Sequence, residues 1–358
     1  MVASAGIKRY YNTTFGAVFS ANATHLVCCN RYGYLLVFDV CATESNESGE
    51  DSAQAEPFKF RVCNGPIYAL QSVGDLLCWY ALLTGTYNGD VFIYHWEDII
   101  EHRPKCLNIL RSESVPSSPC CPLEVNALAF DAQKPNCLYS AGGDCIVYSW
   151  DLETSKIQSQ RKEHTNYIHC LAVHDSGLVL SGGEDGCVKC FVRNESRIID
   201  ERSAQSVATM QPHLTGCQRT DLGDWIGCIT TYKEFMICGG GAGLGVWYLG
   251  SFELLKPLED SDVEWYAASR QKEFFFTGGS DGRTYRWTLN GDLLEKIGTP
   301  CFCIYDIRCA DPEADSTEVS CFQEILIFSI LAFCSFLPVA VLERLCVCTI
   351  ISDTAALC

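Results

Sequence analysis

The chain has 358 residues, 48% of them hydrophobic, and a formal charge of −18. That length and apolar content suit a large core, and the acidic balance excludes a sequence-independent grip on a phosphate backbone, which relies on clustered Lys and Arg. It favours basic protein partners instead.

The N-terminal stretch "MVASAGIKRYYNTTF" lacks the apolar core of a signal peptide. The 24 cysteines are therefore expected to be reduced thiols in a cytosolic or nuclear protein, not a disulfide scaffold. On the same ground the sequons at Asn12, Asn22, Asn46 and Asn194 read as chance matches.

Along the chain one short pattern recurs. It is loose in "VCCNRYGYLLVF" (27–38) and "LTGTYNGDVFIY" (83–94), and clear in "YSAGGDCIVYSW" (139–150), "LSGGEDGCVKCF" (180–191) and "FTGGSDGRTYRW" (276–287). "CGGGAGLGVW" (238–247) is a shortened copy. A phosphate loop or metal site would not be expected to repeat in this way, whereas a structural turn would. The residues opening each turn, Cys28, Thr84, Ser140, Ser181, Cys238 and Thr277, are spaced by 56, 56, 41, 57 and 39 positions. Two gaps approach the roughly 40–45 residues of a four-stranded propeller blade. The longer ones carry polar insertions at 42–57, 111–122 and within 193–223, with the composition of surface loops.

Short runs precede each marker: "VNALAF" (125–130), "IHCLAV" (168–173) and "WIGCIT" (225–230). They are rich in Val, Ile, Phe and Cys and predict strands of five or six residues with Gly and Asp at the corners. The expectation is an all-β protein, a seven-bladed β-propeller over 8–320 with six blades readable and the closing one divergent or incomplete. Residues 1–7 are an N-terminal lead, and 321–358 form an apolar tail of uncertain status.

The repeats resemble the WD40 family. By that resemblance His164, Ser181 and Asp185 occupy three places of a hydrogen-bonded tetrad, with Phe191 where a Trp donor usually stands. The third repeat keeps Ser140, Asp144 and Trp150, and the sixth keeps Thr277, Asp281 and Trp287, neither with an obvious His. The fifth has Trp247 but no Asp.

Chemistry-bearing alternatives are weak. "GGGAGLG" (239–245) fits neither GxGxxG nor a P-loop lysine motif and has no helix-forming segment after it. Cys187 and Cys190 form a CxxC, but in a strand i and i+3 point to opposite faces, which favours packed thiols over metal ligands. His169 and His174 lie on or beside one strand with no partner nucleophile. No paired carboxylates, HExxH or nucleophile elbow is present, so no catalytic, cofactor-binding or metal site is expected.

More specifically, "EVNALAF", "SAGGDC", "WDLET", "HTNYIHCLAV", "LSGGEDG", "DWIGC" and "CGGG", in that order over 124–241, resemble the THO complex subunit 6 family. The resemblance implies a nuclear, non-catalytic scaffold of the THO/TREX complex, which couples transcription to mRNA processing and export. Its expected partners are other THO/TREX subunits, especially coiled-coil ones. It would contact mRNA only through the assembly, and would have no small-molecule substrate and no cofactor. Tyr167, Trp225 and Trp265, at strand starts near loops, are candidate partner contacts, with inter-blade packing as the alternative. Two other classes stay open: a WD40 substrate adaptor of a ubiquitin ligase, and a membrane-tethered propeller.

The tether depends on "ILIFSILAFCSFLPVAVL" (325–342), which carries no charge and reaches the lower limit of a membrane span. A divergent closing blade, a tail anchor, or sequence foreign to the normal product would each account for it. The family resemblance implies a final blade here whose last strands meet an N-terminal strand to close the ring, and "FCIYDIRC" (302–309) could supply one strand of it.

Overall fold

In the computed structural model, each repeated turn joins two short strands into a hairpin, and successive hairpins stack around a common axis. The structure describes residues 14–40, 57–76, 79–112, 123–193, 206–219, 221–258, 262–299, 303–309 and 327–331. Blade one comprises β1 (Thr14–Phe19), β2 (His25–Asn30), β3 (Tyr34–Asp39) and β4 (Phe58–Arg61). Blade two comprises β5 (Ile67–Leu76), β6 (Trp79–Thr86), β7 (Asp90–His95) and β8 (Cys106–Arg111), with the one-turn helix α1 (Trp96–Ile100) between its last two strands. Blade three has β9 (Val125–Phe130), β10 (Cys137–Gly142), β11 (Val147–Asp151) and β12 (Lys156–Arg161). Blade four has β13 (Ile168–Val173), β14 (Leu178–Gly183), β15 (Val188–Val192) and β16 (Ala208–Met210). Blade five has β17 (Ile226–Tyr232), β18 (Phe235–Gly240), β19 (Leu244–Tyr248) and β20 (Glu253–Leu258). Blade six has β21 (Trp265–Gln271), β22 (Phe274–Gly279), β23 (Arg283–Thr288) and β24 (Leu293–Gly298). The seventh position holds β25 (Ile304–Cys309) paired with β26 (Ile327–Leu331).

Blades one to six are antiparallel meanders of four strands each, innermost strand first in sequence. The seven inner strands touch in order, β1 with β5, then β9, β13, β17, β21 and β25, and β25 touches β1 again, so the ring is closed. Closing the ring in this way leaves each sheet covered on both faces.

Alternation along the strands supplies the packing. A dry cluster spans each interface from blades one/two (Val27, Leu35, Leu82, Tyr94) through four/five (Leu180, Val188, Ile226, Met236) to six/seven (Phe276, Ile304, Ile307). Fully burying side chains of this size contributes about 1.5–3 kcal/mol each. The interface between blades seven and one differs. There the Ala17 amide donates to the Asp306 carboxylate at 3.0 Å, joining the first described strand to the last blade.

At the closure β25 is paired by β26, and β1, the inner strand of its own meander, packs against both. The strand expected within 302–309 is β25. Its partner β26 lies inside the apolar run and beyond residue 320, while residues 1–13, 310–326 and 332–358 lie outside the described residues. No helix among the described residues is long and apolar enough to cross a membrane.

Candidate functional site

The polar pins of the blades differ from one another. In blade four the two atoms of the Asp185 carboxylate lie 3.0 Å from His164 Nδ1, and His164 Nε2 lies 2.8 Å from Ser181 Oγ. The Thr165 amide donates to Asp185 at 2.9 Å and the Cys187 amide at 3.2 Å. The partners set the tautomer: Nδ1 donates to the carboxylate, and Nε2 accepts from the Ser181 hydroxyl. Burial pushes the Asp185 carboxyl up, but the His164 and amide hydrogen bonds outweigh it and leave the group below its ordinary value. Phe191, on the adjoining strand, is buried and makes no such bond; Arg161 lies over its ring at 5.4 Å.

In blades three and six the tryptophans donate along the strand pair, Trp150 Nε1 to Ser140 at 2.8 Å and Trp287 Nε1 to Thr277 at 2.9 Å. The place of the missing histidine is taken by tyrosine. Tyr148 donates to Asp144 and Tyr285 to Asp281, each at 2.6 Å. These tyrosines were not singled out from sequence. Burial raises the Asp144 carboxyl despite its hydrogen bonds, the reverse of Asp185. In blade five the residue matching Ser140 is Cys238, and the buried Trp247 Nε1 has no hydrogen-bond partner.

Most of the described cysteines are buried or half-buried thiols, and Cys106 is exposed. Cys187 and Cys190 are free and buried. Burial raises both, Cys190 to about 12. No group of three or more potential metal ligands occurs among the described residues. His169 Nε2 lies 2.7 Å from Glu184, and His174 bonds Ser176 at 2.7 Å and the Lys233 carbonyl.

The three candidate partner contacts separate. Trp265 is fully buried and packs edge-on against Tyr285 at 5.1 Å within the blade five/six cluster, so it is a core residue and not a contact. Tyr167 and Trp225 are half-buried. Trp225 is held by glycines: a Cβ at Gly241 would lie 2.4 Å from its Nε1, and one at Gly227 would lie 2.5 Å from its ring. Its Nε1 donates to the Leu222 carbonyl at 3.1 Å. "GGGAGLG" is therefore in part the seat of a tryptophan.

A feature that sequence reasoning missed recurs at the start of every inner strand. The pairing of inner strand to next strand slips at its second residue, between Thr14 and Gly16, Ile67 and Ala69, Val125 and Ala127, Ile168 and Cys170, Ile226 and Cys228, Trp265 and Ala267, and Ile304 and Ile307. Each slip is a β-bulge, which turns its extra residue out of the ladder. The opposing backbone crowds in, and glycine follows from that. A Cβ at Gly142 would lie 1.7 Å from the Glu124 carbonyl oxygen, and one at Gly279 would lie 1.8 Å from that of Glu264.

The residues at these slips, Phe15, Tyr68, Asn126, His169, Gly227, Tyr266 and, in blade seven, Tyr305 with Asp306, lie at the same end of the ring of inner strands, at one mouth of the central channel. Where Gly227 offers no side chain, Trp225 fills the place. The rings run in unbroken sequence: His169 to Trp225 at 6.1 Å, Trp225 stacked on Tyr266 at 5.5 Å, Tyr266 to Tyr305 at 5.2 Å, Tyr305 to Phe15 at 6.3 Å, and Phe15 to Tyr68 at 5.2 Å. Only blade three interrupts the arc, with Asn126, whose amide donates to the Ile168 carbonyl at 3.1 Å.

Comparison with known proteins matches residues 155–191 to the family model described as WD domain, G-beta repeat. The chain is 32% identical over 299 residues to the THO complex subunit 6 homolog of Mus musculus, covering 81% of this chain and 80% of that protein. It is 31% identical over the same length and shares to THO complex subunit 6 of Homo sapiens. It is 33% identical over 302 residues to the homolog of Danio rerio, covering 82% and 85%.

Proposed function

Because the chain belongs to the THO complex subunit 6 family, we propose that it is a non-catalytic scaffold subunit of a nuclear THO/TREX assembly. In that role it couples transcription to mRNA processing and export through protein contacts. The observation that carries the reading is the likeness over four-fifths of the chain to relatives named as THO complex subunits. The closed ring supports it, since a rigid disk offers two faces and a rim to several partners at once. The charge of −18 leaves RNA binding to other members of the assembly.

In this proposal the tetrad residues His164, Ser181 and Asp185, with Ser140, Asp144, Trp150, Thr277, Asp281 and Trp287, act by stabilising blades. Tyr167 and Trp225 contact partners, coiled-coil subunits among them. The proposed closing blade takes in β26 beyond residue 320, with residues 327–331 of the apolar run serving as one of its strands.

The test is affinity purification of the tagged full-length chain from nuclear extract. Near-stoichiometric recovery of THO subunits is the expected result. Recovery of a cullin adaptor or of membrane proteins in their place would overturn the assignment.

A further inference from the structure

The aromatic arc at the channel mouth is not core packing. The large rings of the blade interiors, such as Trp150, Trp265 and Trp287, are 2% exposed or less. Phe15, Tyr68, Trp225, Tyr266 and Tyr305 are all half-buried. A bulge turns the inner-strand members out of their own sheets, and glycines seat Trp225 where blade five would otherwise leave a gap.

Carboxylates border the arc. Glu184 bonds His169 at 2.7 Å, and Glu264 accepts from the Tyr266 hydroxyl. Glu124 stands at the break in blade three, hydrogen-bonded to Asn126, with burial pushing its carboxyl up. Burial also raises Tyr266 and takes Tyr305 to about 12, so both phenols keep their protons at neutral pH and offer uncharged rings. Asp306, next to Tyr305, is already engaged by the Ala17 amide and by Arg308. Cationic side chains described near the arc are Arg308, held by Asp306, and Arg31, beside Tyr68, whose guanidinium lies 5.6 Å from the Tyr32 ring.

Consecutive aromatic faces with carboxylates among them match one kind of group. A planar cation is drawn to ring faces within about 6 Å of their centroids. A guanidinium also presents a donor fork to a carboxylate and is less strongly hydrated than an ammonium. An anion or a phosphate would face three carboxylates here. We infer that the mouth of the channel receives an arginine side chain, presented by an extended segment of a partner protein, laid against the Tyr266 and Tyr305 rings and the Glu264 carboxylate. The site stands on its own geometry and does not depend on which assembly the chain joins.

The experiment uses the full chain and a capped seven-residue peptide, Gly-Ser-Gly-Arg-Gly-Ser-Gly, with its citrulline counterpart, an uncharged near-isostere. Binding is read by saturation-transfer NMR of the peptide signals over a concentration series. The arginine peptide is expected to bind at least ten-fold more tightly than the citrulline one. Glu264→Gln is expected to remove most of that preference, and Glu273→Gln, at the turn between β21 and β22, to leave it intact. Equal saturation of the two peptides, or none, by the unaltered protein would overturn the inference without appeal to any variant. So would an arginine preference that survives Glu264→Gln unchanged.

Discussion

Removing the Asp185 carboxylate should destabilise the fold more than removing its counterpart in blade three, and with the opposite dependence on pH. Asp185 accepts from His164, Thr165 and Cys187, and the His164 and Asp185 side chains are 1% and 7% exposed. Asp185→Ala leaves the His164 Nδ1 donor buried without its partner. The Thr165 amide is exposed and can turn to water. Loss of hydrogen bonds to a charged acceptor, with a buried donor stranded, costs about 3–5 kcal/mol. Unfolding entropy of about 2.1 cal/mol/K per residue gives about 0.75 kcal/mol/K for a chain of 358 residues, hence a fall in Tm of about 4–7 °C. The sign with pH follows from the direction of each shift. Asp185 sits below its unfolded value of about 3.9, so its contribution is complete above that pH and is lost as pH falls through the folded pKa. Asp144 sits above, so its ionisation opposes folding and the wild type gains on the variant as pH falls. Calorimetric melts of wild type, Asp185→Asn and Asp144→Asn from pH 7 down to about 3 test this. The gap to Asp185→Asn should narrow and the gap to Asp144→Asn should widen. Parallel curves, or an Asp185→Ala Tm within 1 °C or so of wild type, would refute the reasoning.

Three further outcomes are expected. Cys238→Ser gives the orphaned Trp247 Nε1 an acceptor like Ser140 and should raise stability by about 1 kcal/mol, read as an increased urea midpoint at unchanged slope; a decrease would mean that the new hydroxyl finds no such geometry. Asp306→Ala removes the acceptor of the Ala17 amide and should cost about 1.5–3 kcal/mol, with faster amide exchange confined to β1 and β25; uniform exchange across all blades would refute a local closure. Iodoacetamide should alkylate Cys106 first among the described cysteines, because it is exposed, while Cys28, Cys29 and Cys238 are held protonated by burial and should react only on unfolding; early labelling of any of these three would contradict the packing.

The fold was legible because its punctuation is local. Ser140, Ser181 and Thr277 each open a turn closed by Gly and Asp, and the strands between need only alternate. Site reasoning went astray where the decisive fact was not local. Trp265 resembles Trp225 in sequence, since each sits at the start of an inner strand. One residue of offset separates them: Trp265 pairs with Gly279 and points into the blade five/six cluster, whereas Trp225 precedes the first paired residue, Ile226. Tyr148 and Tyr285 escaped notice because the resemblance directs attention to a histidine some twenty residues upstream of the aspartate, and these blades recruit a hydroxyl four residues downstream instead.

The channel mouth was hidden for a related reason, and one local device accounts for both the visible and the hidden signal. The glycine doublets exist because the opposing inner strand bulges and brings its carbonyl onto the place of a Cβ, as at Gly142 and Gly279. The same bulge expels the neighbouring side chain towards the axis. A conspicuous glycine therefore marks, across the hairpin, an inconspicuous residue whose identity is free of packing demands. That residue appears once per blade, so Phe15, Tyr68, Tyr266 and Tyr305 are scattered over most of the chain and meet only when the ring closes. Their aromatic character is not required by the bulge, since Asn126 and Gly227 occupy the same place. What the architecture leaves optional, and four of seven blades nonetheless fill with Phe or Tyr, is where a binding surface separates from the scaffold that carries it.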